Sequence, residues 1–251
     1  MGRRTRYGAF GGSRPAGASH AVLGPWREEV GVAHGTGPGP IAEDGSAVEY
    51  YQSAPLDETG ASLVHGALPD GASILELGSG TGRVTVPLTA LGHPVTAVDA
   101  SEDMLARIPS GIRTVLSGIE ELALDERFDC VLLMSYLVNY GDRDALLAAC
   151  GRHVSPEGRV LIQREAAGMF DVVPREWTSG GIRMRLSEVV PAGPDRVTAT
   201  IEYGSGDRTW THTFTTRRLD DDELPAVLAK AGLRLDGFLT DDHTWVAARP
   251  V

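Results

Sequence analysis

Cysteine is nearly missing from this sequence. Only Cys130 and Cys150 occur, one in an apolar run and one on a helical pattern. They read as packed free thiols in a reducing compartment, which leaves no basis for a disulfide framework or a metal cluster. Long apolar runs are missing as well: no stretch is long enough to span a bilayer, which argues against a membrane protein. Arg3-Arg4 is followed by a Gly-, Ser- and Arg-rich stretch from Thr5 to His20 that lacks the apolar core of an export signal. A cytoplasmic location is therefore expected. Basic charge is scarce, with 23 Lys and Arg against 34 Asp and Glu, a net charge of −11. Residues 1–40 carry five arginines against Glu28 and Glu29, a local +3, so the remaining body stands at −14. Such a body repels phosphate backbones, and nucleic acid is not the expected substrate.

Glycine and proline are abundant instead. Residues 1–40 hold ten Gly and four Pro, too few packing side chains for a core, and are expected to form a disordered tail. Within it, Ala21 to Trp26 could dock on the body. The folded domain is expected over 41–251. Ile41 to Leu68 is helical in parts, with Tyr50, Tyr51, Leu56, Leu63, Val64 and Leu68 available for an inner face. Strand and helix then alternate. Strands are expected at Ser73–Leu77, Pro94–Val98, Ile112–Leu116, Phe128–Met134 and Arg159–Gln163. Helices are expected at Arg83–Leu91, Ser101–Ile108 and Asp142–His153, and a turn at Ser155 to Gly158. This order implies an α/β fold with a mostly parallel sheet and helices on both faces.

After Ala166 the texture changes. Ile182-Met184-Leu186, Val197-Ala199-Ile201-Tyr203 and Trp210-His212-Phe214 alternate with polar or small residues. They read as a three-stranded antiparallel insertion over about 181–217, with turns at Pro191–Asp195 and Gly204–Asp207. Such an insertion would roof a site or pair across a homodimer. A helix opened by Asp220-Asp221-Asp222 and closed by Gly232 follows, then two strands, for seven in the main sheet.

The sharpest pattern is Glu76-Leu77-Gly78-Ser79-Gly80-Thr81-Gly82, placed after a strand and before a helix. Glycines there allow a tight turn and close backbone approach to a ligand. Seventeen residues past Gly82, Asp99 ends the next strand, where a carboxylate can accept both hydroxyls of a ribose. A dinucleotide fingerprint wants a third glycine where Arg83 stands, so an NAD-dependent oxidoreductase is disfavoured.

Residues from about 72 to 165 resemble class I S-adenosylmethionine-dependent methyltransferases. The likeness rests on Ile74 to Gly82, Val98 to Leu105, Arg127 to Leu133 and Val154 to Ile162, in family order. It implies a Rossmann-like methyltransferase fold and S-adenosyl-L-methionine as cofactor. The insertion is similar to those of small-molecule methyltransferases of antibiotic pathways. By resemblance, Glu76, Gly78, Ser79, Gly80 and Gly82 form the cofactor loop, with Gly78, Ser79 and Gly80 along the methionine part, and Asp99 takes the ribose. Ala100 and Met104 pack on adenine, Met134 and Ser135 border the sulfonium, and one of Tyr50 and Tyr51 closes over the cofactor. Many members have an acidic residue where this chain has Gly118; the Ile119 backbone or the Glu120 side chain would replace it.

Methyl transfer needs alignment and, for a hydroxyl acceptor, a base. Tyr136 and Glu165 are the catalytic candidates, with Asn139 nearby either touching substrate or capping a turn. Arg164 would bind an acid or form an ion pair. His212 and His243 read as structural, His153 as a helix C-terminal residue favoured by the dipole, and Trp177 and Trp210 as core. The expected activity is transfer of a methyl group to N or O of a small molecule in secondary metabolism, with no metal. The alternative is a catalytically silent binder of the same cofactor.

Overall fold

A computed structural model describes residues 33–251. The reading of Ala21 to Trp26 as a docking patch lies outside the described residues. Two sheets organise the chain. The larger is built on Ile74–Leu77 (β2), Val95–Asp99 (β3), Arg113–Leu116 (β4), Phe128–Leu133 (β5) and Val154–Gln163 (β6), completed by Leu233–Phe238 (β11) and Trp245–Pro250 (β12). Its order is β11-β12-β6-β5-β2-β3-β4. The ladders from β4 to β6 are parallel, while β12 runs antiparallel to both neighbours. This is the expected mostly parallel seven-stranded sheet.

Each central strand is apolar because both of its faces are covered. Leu75, Leu77, Val131, Leu133, Val160 and Ile162 join one core with the helices Arg143–His153 (α5) and Leu224–Lys230 (α6). Ile74, Cys130, Leu132 and Leu161 join the other, with the helices Glu58–Gly66 (α2) and Thr85–Ala90 (α3). The period-two alternation of strand side chains divides the two cores. It also places Cys130 and Cys150 in different cores, on opposite faces of the sheet, where both are buried free thiols.

Side-chain caps set the helix starts. Asp57 accepts the Gly60 amide at 2.8 Å to begin α2, and Ser101 accepts that of Met104 at 3.3 Å to begin Glu102–Leu105 (α4). Asp142 accepts the Ala145 amide at 3.1 Å for α5. Leu56 departs from the expected inner face: it lies exposed in the loop between Val48–Ser53 (α1) and α2. The turn at Ser155 to Gly158 takes the form of an out-of-ladder segment within β6, since Val154 pairs with Phe128 and Arg159 with Cys130.

The smaller sheet corrects the expected insertion. It has five strands, not three, in the order β1-β10-β9-β8-β7, all antiparallel. Ile182–Pro191 (β8), Arg196–Ser205 (β9) and Arg208–Arg217 (β10) are the expected ones. Arg175–Ser179 (β7) adds one edge. His34–Thr36 (β1) adds the other by pairing with β10, so residues 33–40 are not part of a disordered tail. The Trp210 indole seals this junction, donating to the Pro38 carbonyl at 3.0 Å from a fully buried ring.

Candidate active site

Strand order reverses at β2, because β3 and β4 build away on one side and β5 and β6 on the other. Ligands of open α/β sheets bind beyond the strand carboxyl ends at such a point. The loops that begin there are the glycine segment after β2, Asp99 at the end of β3, Met134 to Tyr136 after β5, and Arg164-Glu165 after β6.

The three glycines all have positive φ, at 71°, 55° and 83° for Gly78, Gly80 and Gly82. Their free volume serves different ends. A Cβ on Gly78 would stand 2.4 Å from Leu137 Cδ1, and one on Gly82 would stand 3.1 Å from Ile108 Cγ1. At these two the missing side chain makes room for packing side chains. Only at Gly80 is the space open, with Met104 Sδ 4.0 Å away. The Gly80 amide donates to Asp99 Oδ2 at 2.8 Å, and the Ser101 amide to Oδ1 at 2.9 Å. Burial raises the Asp99 carboxyl above its ordinary range, and those two amides pull it back down. Each carboxylate oxygen keeps a lone pair for a further donor.

Ser79 Oγ is buried and has no hydrogen-bond partner among the described residues. A buried hydroxyl ordinarily finds one. An orphan hydroxyl, an open glycine and a half-satisfied carboxylate in one crevice fit a nucleoside that carries a polar amino-acid tail. They are the residues that would hold adenosylmethionine. Ala100 is exposed beside Asp99 and Met104 is buried beneath the loop, which suits a stacking surface. Gly118 and Ile119 follow β4 at the same edge, and the carboxylates of Glu121 and Glu120 lie 3.7 and 3.9 Å from where a Gly118 Cβ would be. Glu121 was not among the residues expected there.

Glu76 is not part of the open crevice. It is 2 % exposed and accepts from Thr85 Oγ1 of α3 at 2.5 Å. Burial lifts its carboxyl to about 7 against the bond from Thr85, with Asp99 adding to the rise.

At the end of β5, Met134 is buried. Ser135 and Tyr136 then take φ of 54° and 62°, two left-handed non-glycine residues in succession. Such conformations cost about 1–3 kcal/mol each and persist where surroundings hold them. The Ser135 amide donates to Gln163 Oε1 at 3.0 Å, which fixes the reversal. Tyr136 is thereby lifted out of the strand line and left 40 % exposed. Desolvation, and then the Glu165 charge, raise its phenol above the ordinary value.

Glu165 is the centre of a network. Tyr140 donates its hydroxyl to Oε1 at 3.0 Å and Thr216 of β10 donates to Oε2 at 2.9 Å. Desolvation lifts this carboxyl to about 7 despite both donors. Asn139 is buried and links the parts. Its Oδ1 accepts the Glu165 amide at 3.0 Å, and its Nδ2 donates to the Arg217 carbonyl at 2.9 Å. The antiparallel sheet thus reaches down to the strand ends as a roof.

Other candidates resolve into structure. Arg164 does not face an acceptor: its guanidinium donates to the carbonyls of Leu219 at 2.6 Å and His243 at 2.9 Å and pairs with Asp221. His243 stacks on Phe238 at 3.8 Å and bonds Asp221 at 2.6 Å. His212 donates to the Asp44 carbonyl at 2.9 Å. His153 is buried, accepting the Leu124 amide at 3.1 Å and donating to the Ala149 carbonyl at 2.8 Å. Its ring is held by these two backbone groups and serves packing, not the helix end. Tyr50 packs against Tyr203 at 4.0 Å and Trp210 at 5.9 Å. Burial raises the Tyr51 phenol, and the charges of Asp44 and, less, Asp99 add to the rise. Among the described residues no group of His, Cys, Asp and Glu is arranged to hold a metal, and no helix is long and apolar enough to cross a membrane.

Comparison with known proteins agrees with this geometry. Residues 75–162 match the family described as "Methyltransferase domain". The cypemycin N-terminal methyltransferase of a Streptomyces species is 33% identical over 173 residues, which cover 63% of this chain and 67% of that protein. A ubiquinone biosynthesis O-methyltransferase of Xanthomonas axonopodis pv. citri is 29% identical over 103 residues, 38% of this chain and 43% of its own length. The sugar N-methyltransferase KedS8 of a Streptoalloteichus species shares the fold, with a TM-score of 0.61 at 18% identity over 95% of this chain and 100% of that one. Its kinship in sequence and its strand order together place the chain in the class I S-adenosylmethionine-dependent methyltransferases.

Proposed function

We propose that this methyltransferase acts on N or O of a small molecule of secondary metabolism, with Glu165 as general base and Tyr136 against the acceptor. The observation that carries this is the Glu165 carboxylate. It is desolvated, raised to about 7, and clamped by Tyr140 and Thr216 beside the end of β5. A base whose pKa lies near the working pH combines availability with proton affinity. The bound cofactor supplies a methyl group on a positively charged sulfur, open to in-line displacement by a lone pair. The chain's own residues do the rest. Asp99, Ser79 and the Gly80 backbone hold and orient the cofactor. Met134 and Ser135 border the space where the methyl would lie, with the Ile119 backbone and Glu120 at the adenine edge. The roof sheet excludes water, and Glu165 takes the acceptor's proton.

The relatives support a small acceptor. One is named for the N-terminus of cypemycin and another as a sugar N-methyltransferase. The acidic body disfavours nucleic acid, and the enzyme works in the cytoplasm. The test is release of S-adenosylhomocysteine with a library of small amines, alcohols and phenols. Cofactor binding without release for any of them, together with unchanged behaviour of Glu165→Gln, would overturn it.

A further inference from the structure

The chain has six tyrosines. Tyr7 lies outside the described residues, and the other five converge on one place. They come from three separate segments: Tyr50 and Tyr51 from α1, Tyr136 and Tyr140 from the loop after β5, and Tyr203 from β9 of the roof. Tyr50 meets Tyr51 at 4.9 Å and Tyr203 at 4.0 Å between ring centroids. Tyr203 is shared by two apolar clusters, packing with Tyr50 and Tyr51 in one and with Tyr140 in the other. The cluster adjoins the glycine loop, because Leu137, between Tyr136 and Tyr140 in the chain, packs against Gly78.

Charge completes the description. Glu165 has two hydroxyl donors but forms no ion pair among the described residues. Arg164, the cation next to it in the chain, is spent on Asp221 and two carbonyls. Buried carboxylates ordinarily have a counter-charge, and electron-rich ring faces attract cations. A neutral alcohol or phenol would supply neither.

We infer that the acceptor is an aliphatic amine, admitted as its ammonium and held between the Glu165 carboxylate and the ring faces of Tyr51, Tyr136 and Tyr203. This rests on the proposed function and narrows its acceptor atom to nitrogen. The ammonium gives one proton to Glu165, which exposes the nitrogen lone pair. The nitrogen–carbon bond forms as the sulfur–carbon bond breaks, and the positive charge passes from sulfur to nitrogen. Glu165 returns its proton to solvent. The methylated product is again an ammonium suited to the same site, so a second round on one nitrogen follows the same course.

The test uses the full chain saturated with S-adenosylhomocysteine and two probes of equal shape. One is 2-(dimethylamino)ethanol, cationic at neutral pH, and the other is neutral 3-methylbutan-1-ol. Titration followed by NMR should show the cation bound at least tenfold more tightly. Glu165→Gln should reduce that preference about tenfold. Tyr203→Phe, which keeps the ring, should retain it, and Tyr203→Leu should weaken it. Equal binding of the two probes, binding of neither, or a preference that survives Glu165→Gln would overturn the inference. S-adenosylhomocysteine affinity is measured alongside by calorimetry. Its loss would count against the methyltransferase site itself, whereas normal affinity with no cation preference counts against the amine alone.

Discussion

The Gly80 amide donates to Asp99 Oδ2 at 2.8 Å, so the carboxylate that ends β3 also shapes the loop that follows β2. Asp99→Ala therefore removes a ribose acceptor and a loop anchor together. Charged hydrogen bonds are worth about 1.5–3 kcal/mol each. The expected result is a cofactor Kd raised by about 100-fold or more in calorimetry, with Asp99→Asn milder. Parental affinity in Asp99→Ala would show that the ribose lies elsewhere.

Glu165 sets a pH dependence. Its carboxyl titrates at about 7 in the fold, and only the ionised form accepts a proton. Turnover should therefore rise with pH through about 7 and level off above it. Glu165→Gln should abolish this limb and lower kcat by about 10²–10⁴-fold. Because the Thr216 hydroxyl lowers the Glu165 pKa, Thr216→Val should move the limb to higher pH. A limb unmoved by both changes would belong to the acceptor.

Glu76 makes a separate claim about stability. Its carboxyl releases its proton near 4.5 when unfolded and near 7 when folded. Between those values the folded state binds more protons, so the contribution is complete below pH 4.5 and is lost as pH rises through 7. The loss is about 3 kcal/mol from the linkage relation. Urea unfolding of the cofactor-free protein at pH 5 and pH 8 should show it. Glu76→Gln, which can still accept from Thr85, should shrink the difference, and an undiminished difference would rule the claim out.

Gly78 and Leu137 should behave as a pair. Gly78→Ala imposes a side chain at a φ of 71° and places its Cβ 2.4 Å from Leu137 Cδ1. Overpacking costs about 1–3 kcal/mol, and left-handed strain adds to it. In a Leu137→Ala background the steric part should disappear, giving a coupling of about 1 kcal/mol or more in a double-mutant cycle. Strict additivity would mean that the glycine is needed for its backbone alone.

Much of this was legible because it is local. Apolar runs such as Phe128 to Met134 give the central strands, and the spacing from Gly82 to Asp99 gives the crevice. What escaped notice depends on distant partners. Strand β1 is three residues with a glycine in the middle, and β7 is a polar edge strand, so neither shows the alternation of a half-buried strand. Thr216 lies 51 residues from the carboxylate it binds, in a strand read only for its pattern. The true use of Gly78 depends on Leu137, and the silence of Arg164 on Leu219, Asp221 and His243. Tyr203 meets Tyr50 from the roof, which no spacing in the chain announces.

The left-handed pair at Ser135 and Tyr136 bears on any attempt to retool acceptor choice. Randomised libraries at position 136 will be enriched in asparagine, aspartate and glycine for reasons of main-chain geometry, whatever compound is used for screening. Valine and isoleucine will drop out equally early. A productive campaign would leave these two codons alone and diversify Tyr51 and Tyr203, whose backbones carry no such constraint.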